Sequence, residues 1–296
     1  GDDNESTPNF PGLDLGLVAY YPFDGNASDM SGNGNDGTVT EAAPASDRHG
    51  VAGKAYSFDG LDDYIQLPSE VSSSLIHDVT VSLWIKPSSV GNKFLFLRKD
   101  SGNDESVKVG ITNGSVEFKI NNTPLLTGST LTEGNWLHIV ATYDGATKRI
   151  YLNGPEVANA LKSGTLPSSN YPSYIGVDKD SNFNQHFHGS IEEVRIYDRA
   201  LSAAEVEALY ALEAPANAAP VITSYGGAIL PNPLNVPENQ TSAADVDASD
   251  ADGNETVSYL ISGGPDQSKF DLNSTTGALT FKAAPDYEAN ASAAGN

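Results

Sequence analysis

The stretch VKVGITNGSVEFKI, residues 107–120, constrains this chain more than any other. Val107, Val109 and Ile111 alternate with polar neighbours, as do Val116, Phe118 and Ile120, and Asn113-Gly114 stands between the two runs. Alternation puts each apolar set on one side of a strand. Asn-Gly supplies the two positive φ angles of a type I′ turn, so the spacing predicts a β-hairpin. TVSLWIKP (80–87), KFLFLRK (93–99) and WLHIVATYDG (136–145) are similarly rich in β-branched and aromatic residues, and TYDGATKRIYLNG (142–154) reads as a second hairpin. Short strands separated by turn signals from Leu17 to Tyr197 predict an all-β, antiparallel sandwich or jelly roll. One helix interrupts the pattern. In SAAEVEALYAL, Ser202 and Glu205 form a capping box, and Val206, Leu209, Tyr210 and Leu212 give an apolar face that seals the sandwich.

Charge narrows the function classes. With 39 acidic and 16 basic side chains, the formal net charge is -23. Phosphate recognition needs a basic footprint, so no nucleic-acid partner is expected. The same charge suits solubility at high ionic strength or carboxylates used as cation ligands. The absence of cysteine removes disulfides, thiolate metal sites and a Cys nucleophile. No apolar run is long enough to span a bilayer. The opening GDDNESTPNFPG is polar and acidic, and residues 1–15 read as a flexible tether. That opening resembles the segment following the lipidated Cys of bacterial lipoproteins, which implies a lipid anchor upstream and a place outside the cell or on its surface. Beyond residue 212 the composition changes: 213–219 is an Ala/Pro-rich linker, and 220–296 a second, more acidic domain.

Several markers carry a resemblance in residues 16–212. LVAYYPFDGNASDMSGNGNDGTV, GKAYSFDGLDDYIQLP, VSLWIKP, NWLHIVATYDGATKRIYLNG and GSIEEVRIYDRALSAAEV follow in order. The region resembles the laminin-G-like branch of the concanavalin A-like lectin/glucanase fold, which implies a jelly roll and, with less force, carbohydrate binding. VPENQT, ASDADGNETVSYLI, SKFDLNSTTGALTF and APDYE make residues 220–296 similar to a truncated, bacterial cadherin-like repeat, a partial Greek-key sandwich. That resemblance implies calcium ligands at Glu238, Asp250, Asp252, Asp286 and Glu288, and further repeats of the same chain beyond residue 296. Two departures stand out: of the several Asp and Asn of a calcium-stiffened junction the linker keeps only Asn217, and the last strands of such a sandwich are missing.

The run FDGNASDMSGNGNDG (23–37) admits two readings. Its Asn and Gly residues suit turns, while Asp24, Asn26, Asp29, Asn33, Asn35 and Asp36 suit a Ca2+ shell of six to eight oxygens. The laminin-G-like topology implies that Glu192 or Glu193 reaches across to that shell from the closing strand. Catalysis has less to recommend it. The E-x-D-x-x-E strand of glucanases on this fold is absent, and Glu192-Glu193, as strand neighbours, are expected to face opposite sides. His186 and His188, with Arg195 and Tyr197, superficially match the groups of polysaccharide lyases. Trp84 and Trp136 read as core. The candidates for stacking on a sugar are Tyr171, Tyr174 and Phe183, with Asp178, Asp180 and Asn182 to bond its hydroxyls. The expected whole is a non-catalytic, calcium-stabilised extracellular module that binds polysaccharide or glycoconjugate in adhesion. An accessory module of a polysaccharide-degrading enzyme and a ligand-free spacer are the alternatives.

Overall fold

The computed structural model describes residues 12–179, 185–215, 221–224, 236–249 and 257–286. The chain divides into two units, Gly1–Pro215 and Ala216–Asn296. Unit 1 begins with β1 (Leu17–Tyr21), β2 (Thr38–Thr40), β3 (Ala43–Ser46), β4 (Ala52–Asp59) and β5 (Tyr64–Leu67). A short helix, α1 (Ser69–Ser74), leads to β6 (Val79–Pro87), β7 (Lys93–Lys99), β8 (Glu105–Thr112), β9 (Ser115–Ile120) and β10 (Thr123–Leu126). Then come β11 (Leu137–Tyr143), β12 (Thr147–Leu152), β13 (Glu156–Leu161), β14 (Ser173–Ile175), β15 (His188–Tyr197) and α2 (Ala203–Glu213).

These strands form two antiparallel sheets, consistent with a jelly-roll sandwich. The first runs β13-β12-β11-β6-β15-β4-β3, with β1 also pairing β15; the second runs β10-β9-β8-β7-β14-β5-β2. The apolar phase read from the sequence is the phase that packs. Val107, Val109, Ile111, Val116, Phe118 and Ile120 from the second sheet share the core with Val81, Leu83, Ile85, Ile191, Val194 and Ile196 from the first. The β8–β9 turn has φ of 52° at Asn113 and 81° at Gly114, as a type I′ turn requires. Helix α2 carries the full capping box at Ser202 and Glu205. It does not plug the sandwich core. Val206 and Leu209 join Leu13, Val140, Tyr151, Tyr197 and Leu201 in a separate cluster on the outer face of the first sheet.

Both boundaries of unit 1 move. Leu13 is buried, and the Arg199 guanidinium donates to the carbonyls of Gly12 and Leu15, so residues 12–15, expected in a tether, are docked. Glu213, expected in the linker, is the last residue of α2 and is buried. In unit 2, β16 (Val221–Ile222) pairs β18 (Ala248–Ser249), and β17 (Ser242–Asp245), β20 (Ala278–Phe281) and β19 (Phe270–Leu272) form a three-stranded sheet. Strands β19 and β20 form a hairpin over FDLNSTTGALTF, and residues 257–263, VSYLISG, carry no strand.

Candidate ligand-binding face

Strand register builds a polar platform on the outer side of the second sheet. Core-facing Ile65, Leu67 and Ile175 force Tyr64, Gln66 and Tyr174 outward by the two-residue period. Register then lines up Thr38, Gln66, Tyr174, Leu97, Lys108 and Lys119 in one row across six strands. Tyr64 and Tyr174 meet edge to face, with centroids 6.1 Å apart and planes at 66°. The Lys179 ammonium sits 5.3 Å from the Tyr64 ring centre. A hydrogen bond with Thr40, supported by Lys179 and opposed by burial, holds the Tyr64 phenol below its usual range. Both tyrosines are half-buried and Lys179 is exposed, so rings and donors reach solvent together.

Beyond the tyrosines each inner lysine meets a carboxylate. Lys99 pairs with Asp178 at 2.9 Å, Lys108 with Glu117 at 2.6 Å, and Lys119 with Glu105 at 2.7 Å. Burial alone would raise Glu117, but hydrogen bonds from Lys108 and Thr112 outweigh it and hold the carboxyl below its ordinary value. The chemistry on offer is ring stacking beside fixed hydrogen-bonding groups.

Of the expected ligand-binding residues, Tyr174 and Asp178 belong to this face, and Tyr171 is 43% exposed in the loop before β14. Asp180, Asn182 and Phe183 lie outside the described residues. Tyr64, Gln66 and Lys179 were missed, although the alternation in YIQL (64–67) already turns Tyr64 and Gln66 away from Ile65 and Leu67. Trp84 is buried as expected, but beneath α2 and not between the sheets, and Trp136 is only half-buried.

The loop over 23–37 folds on its own hydrogen bonds. The Asp29 carboxylate accepts from the backbone N–H groups of Tyr20, Ser31 and Asn35 and from the Ser31 hydroxyl, at 2.8 to 2.9 Å. Asp36 accepts from Asp29 N–H, Asn26 from Ser28 N–H, and Asp24 pairs with Lys54 at 2.8 Å. The Asn33 and Asn35 amides donate to β1 carbonyls. Among the described residues, the one trio of acidic ligand atoms lying within 4.8 Å of one another is Asp59, Asp62 and Asp63, not Asp24, Asp29 and Asp36. As folded, Asp29 turns both carboxylate oxygens to protein donors, and Asp24, Asp29 and Asp36 do not converge within 4.8 Å of one another. In unit 2, a hydrogen bond from Asn239 N–H to the Pro285 carbonyl brings the segments of Glu238 and Asp286 side by side, both residues exposed. Asp250, Asp252 and Glu288 lie outside the described residues.

Glu192 and Glu193 do not reach toward that shell either. The β15–β6 register shifts between Glu192 and Arg195, with Glu193 at φ 51°. Ile191 and Val194 both face the core, so this bulge places the two glutamates on the same, outer side, against the alternation expected of neighbours. Glu192 pairs with Arg48 at 3.1 Å, and Glu193 with Arg195 at 3.0 Å and the Tyr20 hydroxyl at 2.8 Å. Glu213 comes down from α2 to bond Trp84 Nε1 at 2.7 Å and the Arg195 guanidinium. His138 clusters with Trp84 and Tyr210, the three rings near-parallel and their centroids 5.0 to 5.8 Å apart. Burial, with Arg195 and Arg48 close by, pushes its pKa down to about 3. Burial also lifts Glu192 to about 7 against the pull of Arg48. Because Arg195 is committed to two carboxylates, it does not join His186 and His188 in a lyase-like set.

The two-layer arrangement and its aromatic outer face define a lectin-like sandwich. The chain belongs to the concanavalin A-like lectin/glucanases superfamily, whose family model matches residues 58–207. Domain 4 of AbnA, a GH43 extracellular arabinanase from Geobacillus stearothermophilus solved with arabinotriose, is similar at TM-score 0.53 and 25% identity, covering 66% of this chain and 98% of that one. The botulinum neurotoxin serotype D ligand-binding domain, solved with N-acetylneuraminic acid, shares the fold at TM-score 0.56 and 18% identity, covering 73% of this chain and 55% of that one. Adhesion G-protein coupled receptor V1 of Danio rerio is 23% identical over 219 residues, 68% of this chain but 3% of the receptor's length. Among the described residues no helix is long and apolar enough to cross a membrane.

Proposed function

We propose that unit 1 is a non-catalytic glycan-binding module that works outside the cell. The observation that carries this reading is the Tyr64–Tyr174 pair, half-exposed beside Lys179 on the outer face of the second sheet. Aromatic rings with a few fixed polar groups suit the apolar face and hydroxyl rim of a sugar. Relatives solved with arabinotriose and N-acetylneuraminic acid support the ligand class. The non-catalytic part rests on the carboxylates. Glycoside hydrolysis needs two of them facing a substrate across about 5–9.5 Å. Here Glu192, Glu193 and Glu213 are locked to arginines beneath α2, and Glu105, Glu117 and Asp178 each to a lysine. A second reading, an accessory module of a polysaccharide-degrading enzyme, draws on the near-complete coverage of the arabinanase domain.

A glycan array spanning neutral and acidic polysaccharides tests both halves. We expect binding that Tyr64→Ala and Tyr174→Ala each weaken at least tenfold, about 1.4 kcal/mol, without loss of fold. No reducing ends or unsaturated products are expected. Binding indifferent to both substitutions would move the site elsewhere, and turnover would end the non-catalytic reading.

A further inference from the structure

Beside α2, on the outer side of the larger sheet, unit 1 carries a groove that lies away from the Tyr64–Tyr174 platform. Pro155 and Glu156 of the β12–β13 turn line it from one side, and Ala203, Glu207 and Tyr210 of α2 from the other, with the buried Tyr151 between. The three helix residues follow at i, i+4 and i+7, so they share one stripe of α2. The groove holds about 370 Å³, within the range of small-ligand sites.

Its walls are fixed. Asn153 N–H donates to the His138 carbonyl at 3.0 Å, and the Asn153 side-chain oxygen accepts from His138 N–H at 2.9 Å, which pins the turn to β11. Gly154 follows at φ 101°, and a Cβ there would lie 3.2 Å from the Tyr210 ring, so the glycine lets turn and helix close on each other. Tyr210 is held in turn by the near-parallel rings of Trp84 and His138. A groove already in shape spares a ligand most of the ordering cost of binding.

Its charge is one-sided. The Glu207 carboxylate is exposed and has no hydrogen bond or ion pair among the described residues. Glu156 stands opposite Tyr151 in the β12–β13 register, and after burial its charge is the next cause raising the Tyr151 phenol, which places carboxylate and phenol together. Glu156 accepts from the Asn159 amide at 2.7 Å and has Arg149 at 3.7 Å, but that arginine makes its closer pair, at 2.7 Å, with Asp144. An anion would meet two like charges here. A positive nitrogen on an apolar body suits every wall: the carboxylates by charge, Tyr210 by the negative face of its ring, Pro155 and Ala203 by contact.

We propose that this groove is a site for an organic ammonium ion, held between Glu207 and Glu156 against the Tyr210 ring. A small quaternary amine and a lysine side chain offer that chemistry alike. The field of a chain with net charge -23 draws such a cation in.

Titration calorimetry of the full chain with tetramethylammonium and with Nα-acetyl-lysine amide tests this. Sodium chloride matches the ionic strength, and tert-butanol serves as the neutral counterpart of tetramethylammonium. Saturable binding of at least one ammonium is expected, with a Kd of roughly 1–10 mM for so open a groove, and tert-butanol should bind far more weakly. Glu207→Gln should weaken binding about two- to fivefold, and Ala203→Lys, which brings its own ammonium to the groove, roughly tenfold or more. Both positions are exposed on α2, so neither substitution should shift the melting curve by more than a few degrees. Binding of one ammonium alone supports the proposal and names its source. No saturable binding of either probe overturns it, as does tert-butanol binding equally well or an affinity unmoved by both substitutions.

Discussion

The outer faces of the two sheets carry the same kinds of residue and put them to opposite uses. Both have aromatic rings, cations and carboxylates in contact. On the larger sheet, α2 closes over them: Trp84, His138, Glu192 and Glu213 are all buried, and every carboxylate there meets an arginine. On the smaller sheet no helix intervenes, and Tyr64, Gln66, Tyr174 and Lys119 stay half-exposed. Shifted pKa values therefore mislead if read as a catalytic signature. Two of the strongly shifted groups, Glu192 and His138, are sealed under a helix, while on the face open to a ligand the Tyr64 phenol is lowered by its hydrogen bond with Thr40.

The sharpest way to break this contrast is to cut one group from each face. Glu213→Ala removes the partner of Trp84 Nε1 and leaves the Arg195 guanidinium short of one carboxylate in a dry site. Breaking a buried ion pair by truncating one member costs about 3–5 kcal/mol. Urea unfolding of unit 1 should show a loss of that order, with glycan affinity retained in the folded fraction. A loss below about 1 kcal/mol would mean that α2 is not held by this carboxylate.

Titration probes the sealed face more gently. Glu192 has its folded pKa raised to about 7 from an ordinary 4.5, so its stabilising contribution is present at low pH and disappears as pH rises through 7. His138 is the reverse. Its folded pKa lies near 3 against an ordinary 6.5, so its contribution is present above 6.5 and disappears as pH falls through 3. Between the two ordinary values the contributions oppose each other. The charged groups facing them are Arg48, Arg195, Glu193, Glu213 and Asp47. Glu192→Gln should therefore make unit 1 lose stability more steeply than the parent on acidification from pH 7 to 4.5, and His138→Gln less steeply. Parallel urea midpoints across that window would sink the assignment.

How much of this was legible beforehand follows from where the deciding interaction lies. The Asn113-Gly114 hairpin and the Ser202–Glu205 capping box are local, and both could be read from a few residues. Tyr174 and Asp178 were within reach because they adjoin a recognisable strand. The bulge at Glu193 was not, because it comes from register against β6, whose residues lie about a hundred positions away. Glu213 was assigned to a linker by its Ala/Pro-rich neighbours, yet its burial is fixed by Trp84 and Arg195. Asp24, Asp29 and Asp36 show a different limit. The same residue types serve turns and cations, and the placing of nearby donors, which composition does not carry, gave Asp29 and Asp36 to backbone N–H groups and Asp24 to Lys54.

The smallest effect belongs to the open face. Lys119 and Glu105 lie 2.7 Å apart with side chains 20% and 22% exposed, a geometry as close as the pairs beneath α2 but wetter. Lys119 also stands opposite Lys108 across β8 and β9, an arrangement that destabilises on its own. Glu105 and Glu117, each taking one lysine, offset that repulsion. Water screens such a pair, and holding two long side chains in one place has an entropic cost, so its net worth is about 0.2–1 kcal/mol. A double-mutant cycle of Lys119→Met and Glu105→Gln should return a coupling in that range that shrinks with salt. A salt-insensitive coupling of several kcal/mol would show that this face is as dry as the one under α2. The Tyr64–Tyr174 platform would then have to be sought beneath a cover and not at an open surface.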